Sequence, residues 1–519
     1  MNPASYSDWG VLIGFVAILC GFYYWFTKKN YFEKHGIVYK KPLLFLGNLG
    51  PALLRQKSFA VNIQDIYNID KEARYVGYYD FARPTILLRD PELIKIVGVK
   101  NFDHFVDHRG FIDPDQDPLF GKVLFSLRGK KWSEMRHVLS PAFTSSKMKG
   151  MFRLMAHCAE NFSDYLVAKA SKEPLTIQSK DAFTRYTNDV IASCAFGVSV
   201  DSMRNPENEF YVLGKKATNF EGILGLKFLA TSKFPILSRI FGMKLVESRV
   251  EAFFTDIVKR TVEMRDREGI TRPDMLQLMM ETRRNQAGEG PVLSLQDMTA
   301  QAFSFFFGGF DTTSSLMCFT LHGIAAHPEV QDKLQEEVDA IYEACKGEVT
   351  YEAITGMQYL DAVINETGRM YPIGAFLDRV CTKTFELPPA LPGAKPVLLR
   401  PGDQVYIPVY PLHRNAEFFP KPDEFRPERF IEDPKATLHN SVFMPFGLGP
   451  RMCIANRFAI LETKVLVFNL VAKCLMKPGK QMILPLELSK KTVAMTAEGG
   501  FWLTLEVRDK WRRKETKIE

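Results

Sequence analysis

The residues with the plainest chemical purpose are Phe446-Gly447-Leu448-Gly449-Pro450-Arg451-Met452-Cys453-Ile454-Ala455, a loop presenting one thiol with an arginine two residues before it. Its two glycines let the backbone turn tightly and approach a flat cofactor, and amides aimed at the sulfur stabilise the anion. Asn456 to Glu462 reads as a helix whose N-terminal dipole faces Cys453 and lowers its pKa. A thiolate donates strongly to iron and favours cleavage of a bound O–O bond, so the loop suits haem iron. Cys20, Cys158, Cys194, Cys318, Cys345, Cys381 and Cys474 lack such surroundings and read as ordinary structural cysteines.

A second group lies inside the apolar stretch Leu295 to Ala326, where Gly308-Gly309-Phe310-Asp311-Thr312-Thr313 interrupts a helical pattern. Two adjacent glycines in a helix cost about 1 kcal/mol each relative to alanine, so something requires them. Missing side chains and a loosened ladder would admit a small ligand, to which Asp311 and Thr312 could pass protons. A kink with the hydroxyl bonded back to a carbonyl would explain Thr312 but not an acid in an apolar segment. Upstream, Trp132 and Arg136 are four apart and share a helix face, an indole and a guanidinium that together suit a carboxylate.

The Cys453 loop resembles the haem-ligand signature of the cytochrome P-450 superfamily, Phe-x-x-Gly-x-Arg-x-Cys-x-Gly, at every fixed position except the last, where Ala455 replaces glycine. One methyl there is a small change of packing. The resemblance implies haem b with Cys453 as axial ligand beside Phe446 and Gly449. It also implies that Thr312 hydrogen-bonds the oxygen being activated, that Asp311 relays protons, and that Trp132, Arg136, Arg379, Arg451 and Arg109 hold the propionates. Glu366, Arg369 and Arg429 then form a buried ion network that fixes the ligand loop. By position in that fold, Phe111, Phe125, Phe303, Phe307, Gly308, Gly374, Leu377 and Ala497 line the substrate pocket.

The elements that must position these groups are legible in outline. Arg74 to Tyr79 and Thr85 to Leu88 alternate like paired strands, followed by a helix over Pro91 to Val99. From there to about residue 380 the pattern is mostly helical, with Leu295 to Ala326 apolar on nearly every face and ended by Pro328. Glu366 and Arg369 lie on a helix from Leu360 to Met370, and strand-like runs recur at Leu484 to Leu488 and Gly500 to Val507. The expected class is mainly α with a smaller β-rich lobe, the cytochrome P-450 fold, in one catalytic domain over 52–519. Residues 1–30 form a membrane anchor and 31–51 a proline- and glycine-containing hinge.

The anchor is read from Trp9 to Phe26, an uncharged run followed by Lys28 and Lys29. A signal peptide would carry its positive charge before the run and a small-residue cleavage site after it. Lysines on the C-terminal side, with the aromatic belt Phe22 to Trp25, predict a transmembrane helix that leaves the rest of the chain in the cytosol. In the family such anchors sit in the endoplasmic reticulum. The net charge of +7 is scattered along the chain, which argues against nucleic acid.

No Gly-x-Gly-x-x-Gly fingerprint for a nicotinamide or flavin is present, so electrons must come from a partner. In microsomal relatives that partner is an NADPH-dependent flavoprotein reductase, with a cytochrome b-type donor as a possible second source. Lys130, Lys131, Arg136, Lys464, Lys473 and Lys477 are the cations expected to face it. The apolar segments Ile223 to Ala230 and Phe234 to Met243 suit a lid at the membrane interface, admitting lipophilic substrates from lipid. The pattern Phe307 to Ser315 and the ending Gly499 to Leu503 resemble the insect detoxification branch, which implies oxidation of xenobiotics. Oxidation of endogenous lipids or hormones is the same chemistry on another substrate. A haem-thiolate isomerase or a non-catalytic haem carrier would leave Asp311 and Thr312 without a purpose.

Overall fold

Leu295 to Ala326 forms an unbroken helix of 32 residues, about 48 Å long at 1.5 Å per residue. Its start is fixed by a capping box: Ser294 Oγ accepts the Asp297 N–H at 3.1 Å, and Asp297 Oδ2 accepts the Ser294 N–H at 3.1 Å. Pro328 stops it, since proline has no N–H to continue the ladder. Nearly all of Met298 to Ala325 is buried, because apolar residues on every face demand neighbours all round. The exceptions, Gly308, Gly309, Asp311 and Thr312 among them, are discussed below.

The structure is a computed structural model describing residues 4–29, 31–110, 112–218, 222–285, 293–434 and 442–515. Helices dominate, and the described strands make three small sheets. β1 (Tyr75–Asp80) and β2 (Arg83–Leu88) pair antiparallel from Tyr75 opposite Leu88 to Asp80 opposite Arg83. β3 (Leu175–Gln178), β8 (Cys474–Pro478) and β9 (Trp502–Val507) form a second sheet, and β5 (Phe385–Leu387) pairs with β6 (Val397–Leu399). β7 (Gln404–Ile407) joins β2 in parallel, and β4 (Leu377–Val380) joins β7 antiparallel. This last pairing carries Arg379 to the Cys453 loop, where it donates to the Leu448 carbonyl at 3.0 Å.

Three expectations change. The helix from Pro91, capped by Asp90, is α-helical only to Lys95 and widens to a π-turn over Ile96–Lys100. Leu484 to Leu488 does not form a strand; only Leu488 bridges to Ala497, because Pro485 removes a ladder donor from a five-residue run. The central helix also stays continuous at Gly308-Gly309, where a loosened ladder was expected.

The N-terminal helix spans Ala4–Lys29. Its described side chains, Gly10 and residues 12–24, are exposed, including Ile13, Phe15, Ile18 and Phe22. Among the described residues, no helix is long and apolar enough to cross a membrane.

Candidate active site

The Cys453 loop is folded by its own backbone. The Cys453 N–H donates to Phe446 O at 2.8 Å, and the Gly447 N–H to Met444 O at 3.0 Å. Gly449 has φ +69°, and a Cβ there would lie 1.9 Å from the Gly98 carbonyl oxygen, so no other residue fits. The helix Asn456–Lys473 follows, and the Ala455 N–H points at the sulfur. Cys453 is accessible yet closely surrounded by protein. Burial raises its pKa, opposed by the Ala455 N–H and by Arg136. Desolvation therefore outweighs both, contrary to the lowered pKa expected from the loop amides and the helix dipole. A coordinating metal removes such a proton outright.

Around this loop the chain gathers more positive charge than its own acids neutralise. Arg451 lies over the Trp132 ring at 4.0 Å and donates to Val106 O at 2.8 Å and Leu127 O at 2.9 Å. Arg136 donates to Met452 O at 2.9 Å, and Arg379 is 1% exposed with no partner for its Nε among the described residues. Burial pulls the Arg451 guanidinium down to about 9, with Arg379 and Arg136 adding repulsion against the attraction of Asp107 and Asp378. Desolvated guanidiniums with an orphaned N–H are what two further carboxylates would satisfy. The residues thus fit haem, whose two propionates would meet Arg451, Arg379, Arg136 and Trp132 while Cys453 takes the iron.

On the central helix the two glycines have separate reasons. A Cβ on Gly309 would lie 2.7 Å from Ile191 Cδ1, so that glycine lets the helix Ser179–Ile191 approach. A Cβ on Gly308 would meet nothing within 4 Å, and Gly308 is exposed in the middle of a buried helix. The open face therefore lies at Gly308. Thr312 Oγ1 donates back to the Gly308 carbonyl, and Asp311 Oδ1 pairs with Lys180 Nζ at 2.8 Å. Lys180 also binds Asp311 O, Ser314 Oγ and Ser315 Oγ at 2.7–2.9 Å. One ammonium thus fixes the acid beside the hydroxyl. Nothing in the sequence links Lys180 to a motif 131 residues away.

The family model described as Cytochrome P450 matches residues 40–503. The chain belongs to the cytochrome P450 family. It is 42% identical to cytochrome P450 9e2 of Blattella germanica over 98% of this chain and 99% of that protein. It is 38% identical to probable cytochrome P450 9f2 of Drosophila melanogaster, covering 94% and 97%, and 36% identical to cytochrome P450 6j1 of Blattella germanica, covering 95% and 97%. As a P450 it is a haem-thiolate oxidoreductase of the monooxygenase type, and NADPH acts on it only indirectly.

In this P450 the three charged residues of the expected network meet. Arg369 donates to both Glu366 oxygens, at 2.7 and 2.9 Å, and Arg429 Nε reaches Glu366 at 3.1 Å, with all three buried. The remaining guanidinium N–H groups hold the carbonyls of His413, Pro420, Pro422 and Glu424. His413, absent from the sequence reading, links this network to the ligand loop: Nδ1 lies 3.2 Å from Arg369 O, and Nε2 accepts the Met444 N–H at 3.0 Å.

Those two bonds require neutral imidazole, and burial pushes His413 down to about 3 from an ordinary 6.5. A depressed histidine contributes stability fully above pH 6.5 that is lost as pH falls towards 3, because the unfolded chain takes up the proton first. Denaturation midpoints should therefore fall below pH 6.5 by up to about 1.4 kcal/mol per unit more in the native protein than in His413→Leu. Parallel pH slopes for the two proteins would refute this.

Other expected residues scatter. Arg109 donates to Asp80 at 2.6 Å and to Tyr406 at 3.1 Å. Phe303 (0% exposed) is packed in the core and offers no surface to a ligand, and Ala497 is largely buried. Phe307 is half-buried against Phe120 at 5.1 Å, Phe125 stacks on His108 at 4.6 Å, Gly374 is exposed, and Leu377 lies beside Gly447. Phe111 lies outside the described residues. Of the cations expected to face a redox partner, Lys130 and Lys131 are exposed. Lys464 and Lys473 are instead buried, on the carbonyls of Ile354, Thr355 and Met357 and on Ser163 with Asp164 respectively, so they cannot attract a distant acid.

Proposed function

We propose that this P450 is anchored in the endoplasmic reticulum membrane, with one catalytic domain on the cytosolic face. It takes electrons from an NADPH-dependent flavoprotein reductase and inserts one oxygen atom into lipophilic xenobiotics such as insecticides and plant toxins. The observation that carries the oxygenase reading is the pair Asp311 and Thr312 beside the open face at Gly308, on a helix otherwise sealed in protein.

Haem bound at Cys453 supplies the dioxygen chemistry. The protein's work is positioning and proton supply. Arg451, Arg379, Arg136 and Trp132 hold the propionates, and Phe307 and Phe125 keep the chamber apolar. Thr312 turns its hydroxyl from the Gly308 carbonyl into the chamber, and Asp311, ion-paired by Lys180, passes protons to it. Thr312→Ala should lower product formation by about 100-fold while consumption of NADPH falls far less. Equal losses in both would contradict the proton role, since a structural defect removes them together.

Entry from lipid is supported by two apolar surfaces on one turn. Leu43, Leu44 and Phe45 are exposed on a hairpin whose Gly47 bridges to Asp80. Phe234 packs on Phe81 at 6.2 Å and leads into the helix Pro235–Ile240, where Ile236, Leu237 and Ile240 are 51–76% exposed. Lys233, at the end of the helix Gly222–Lys233, is tied to buried Asp80. These patches flank the β1–β2 turn, so both would enter the interface together with the apolar N-terminal helix. Removal of residues 1–30 should weaken vesicle binding, and adding Ile236→Ser with Ile240→Ser should abolish it. Retention of the triple change on vesicles would count against this surface.

A further inference from the structure

We propose that the stretch joining the N-terminal helix to the helix Phe59–Tyr67 is a docking surface for anionic phospholipid headgroups, with Lys34, Lys41 and Arg55 as its contacts. This rests on the reading of the chain as membrane-anchored.

Basic residues are scattered along the chain, but the net charge is not. Residues 28–57 carry seven lysines and arginines against one acid, Glu33, and so hold +6 of the total of +7. Glu33 accepts the Tyr39 hydroxyl at 2.5 Å, and Lys40 and Lys57 share the single carboxylate of Asp65, at 3.8 and 2.5 Å. Lys34, Lys41 and Arg55 are exposed and have no ion pair among the described residues.

The stretch is rigidly built. It lies along β1, with the Gly77 N–H donating to Val38 O at 2.8 Å and with Tyr39 bridging to Gly77 and Gly47 to Asp80. Leu43 and Gly47 exchange backbone hydrogen bonds at 3.0 and 2.9 Å, closing a hairpin with Leu44 and Phe45 exposed at its tip. Phe45 and Arg55 have φ +59° and +56°, left-handed values that cost free energy in bulky residues. Both side chains are exposed, as is Leu54. Cations therefore alternate with apolar groups on one surface: Lys41 beside the Leu43–Phe45 tip, Arg55 beside Leu54.

An acidic protein would answer the cations and leave the leucines and Phe45 in water. A bilayer answers both, with charge in its headgroups and hydrocarbon beneath them. The N-terminal helix enters at one end of the stretch and the tip at the other, which sets the cations between them at headgroup depth.

The test is electron paramagnetic resonance on full-length holoenzyme in phosphatidylcholine vesicles carrying trace spin-labelled phosphatidylserine or phosphatidylcholine. The immobilised fraction of each label gives the preference. The native protein should favour the serine lipid about fivefold, the worth of roughly one cation at an anionic surface. About 1 M salt, which cuts the Debye length to about 3 Å, should remove that preference. Lys34→Gln with Lys41→Gln and Arg55→Gln should lose most of it. Lys172→Gln with Lys216→Gln and Lys346→Gln, an equal loss of exposed charge elsewhere, should keep it. Equal immobilisation of the two labels by the native protein overturns the proposal, and so does an equal loss in both triple variants. Immobilisation of neither label would instead overturn the membrane anchoring itself.

Discussion

Cys453→Ser should abolish the thiolate-type spectrum of the carbon monoxide complex and lower product formation by at least about 1,000-fold, or roughly 4 kcal/mol in barrier. Serine fits the loop, since the Cys453 N–H to Phe446 O bond and the left-handed Gly447 and Gly449 are untouched. What it removes is the soft donor that promotes O–O cleavage. Far-ultraviolet circular dichroism should stay native, separating lost ligation from lost fold. Full activity with haem retained would exclude Cys453 as the ligand, and no other cysteine has comparable surroundings.

Glu366→Gln should be the most destabilising single change outside the ligand loop. Glu366 is 0% exposed and answers two buried guanidiniums and the Arg426 N–H at 2.9 Å. The amide keeps the volume but leaves Arg369 and Arg429 as uncompensated buried charges, which costs about 3–5 kcal/mol. The damage should reach the haem loop, because Arg369 O and His413 carry it to Met444. Haem incorporation and the thermal midpoint should fall together. A midpoint within about 0.5 kcal/mol of native would mean that the network is dispensable.

The two predictions draw on features with different legibility. The ligand loop is local: two glycines, an arginine and a thiol within eight residues specify a turn and its chemistry, and the structure folds them as read. The central helix is equally local, its apolar face and Pro328 marking bounds that match Leu295–Ala326. The ion network was visible only through resemblance, since Glu366 and Arg429 are 63 residues apart and no periodicity joins them.

What stayed hidden is non-local. Lys180 and His413 act through partners 131 and 31 residues away, and a lone lysine or histidine carries no pattern of its own. Burial was also unreadable. Lys464 and Lys473 look like surface charge in sequence, but their helix is covered by Ile354 to Met357 and by Ser163 with Asp164. The same blindness placed Phe303 in the pocket, because an aromatic stripe at helical spacing serves core and chamber alike. Pro485 shows the converse, a legible residue whose missing donor should have ruled out a strand.

The central claim is tested most directly by turnover in membranes under isotopically labelled dioxygen, with NADPH, with and without added flavoprotein reductase. The substrates are a mixed panel of lipophilic insecticides, plant toxins and fatty acids. One labelled oxygen atom in the product, appearing only with the reductase, is the predicted result. Products without label, or turnover of lipid peroxides in the absence of reductase, would contradict the monooxygenase account and favour a haem-thiolate isomerase.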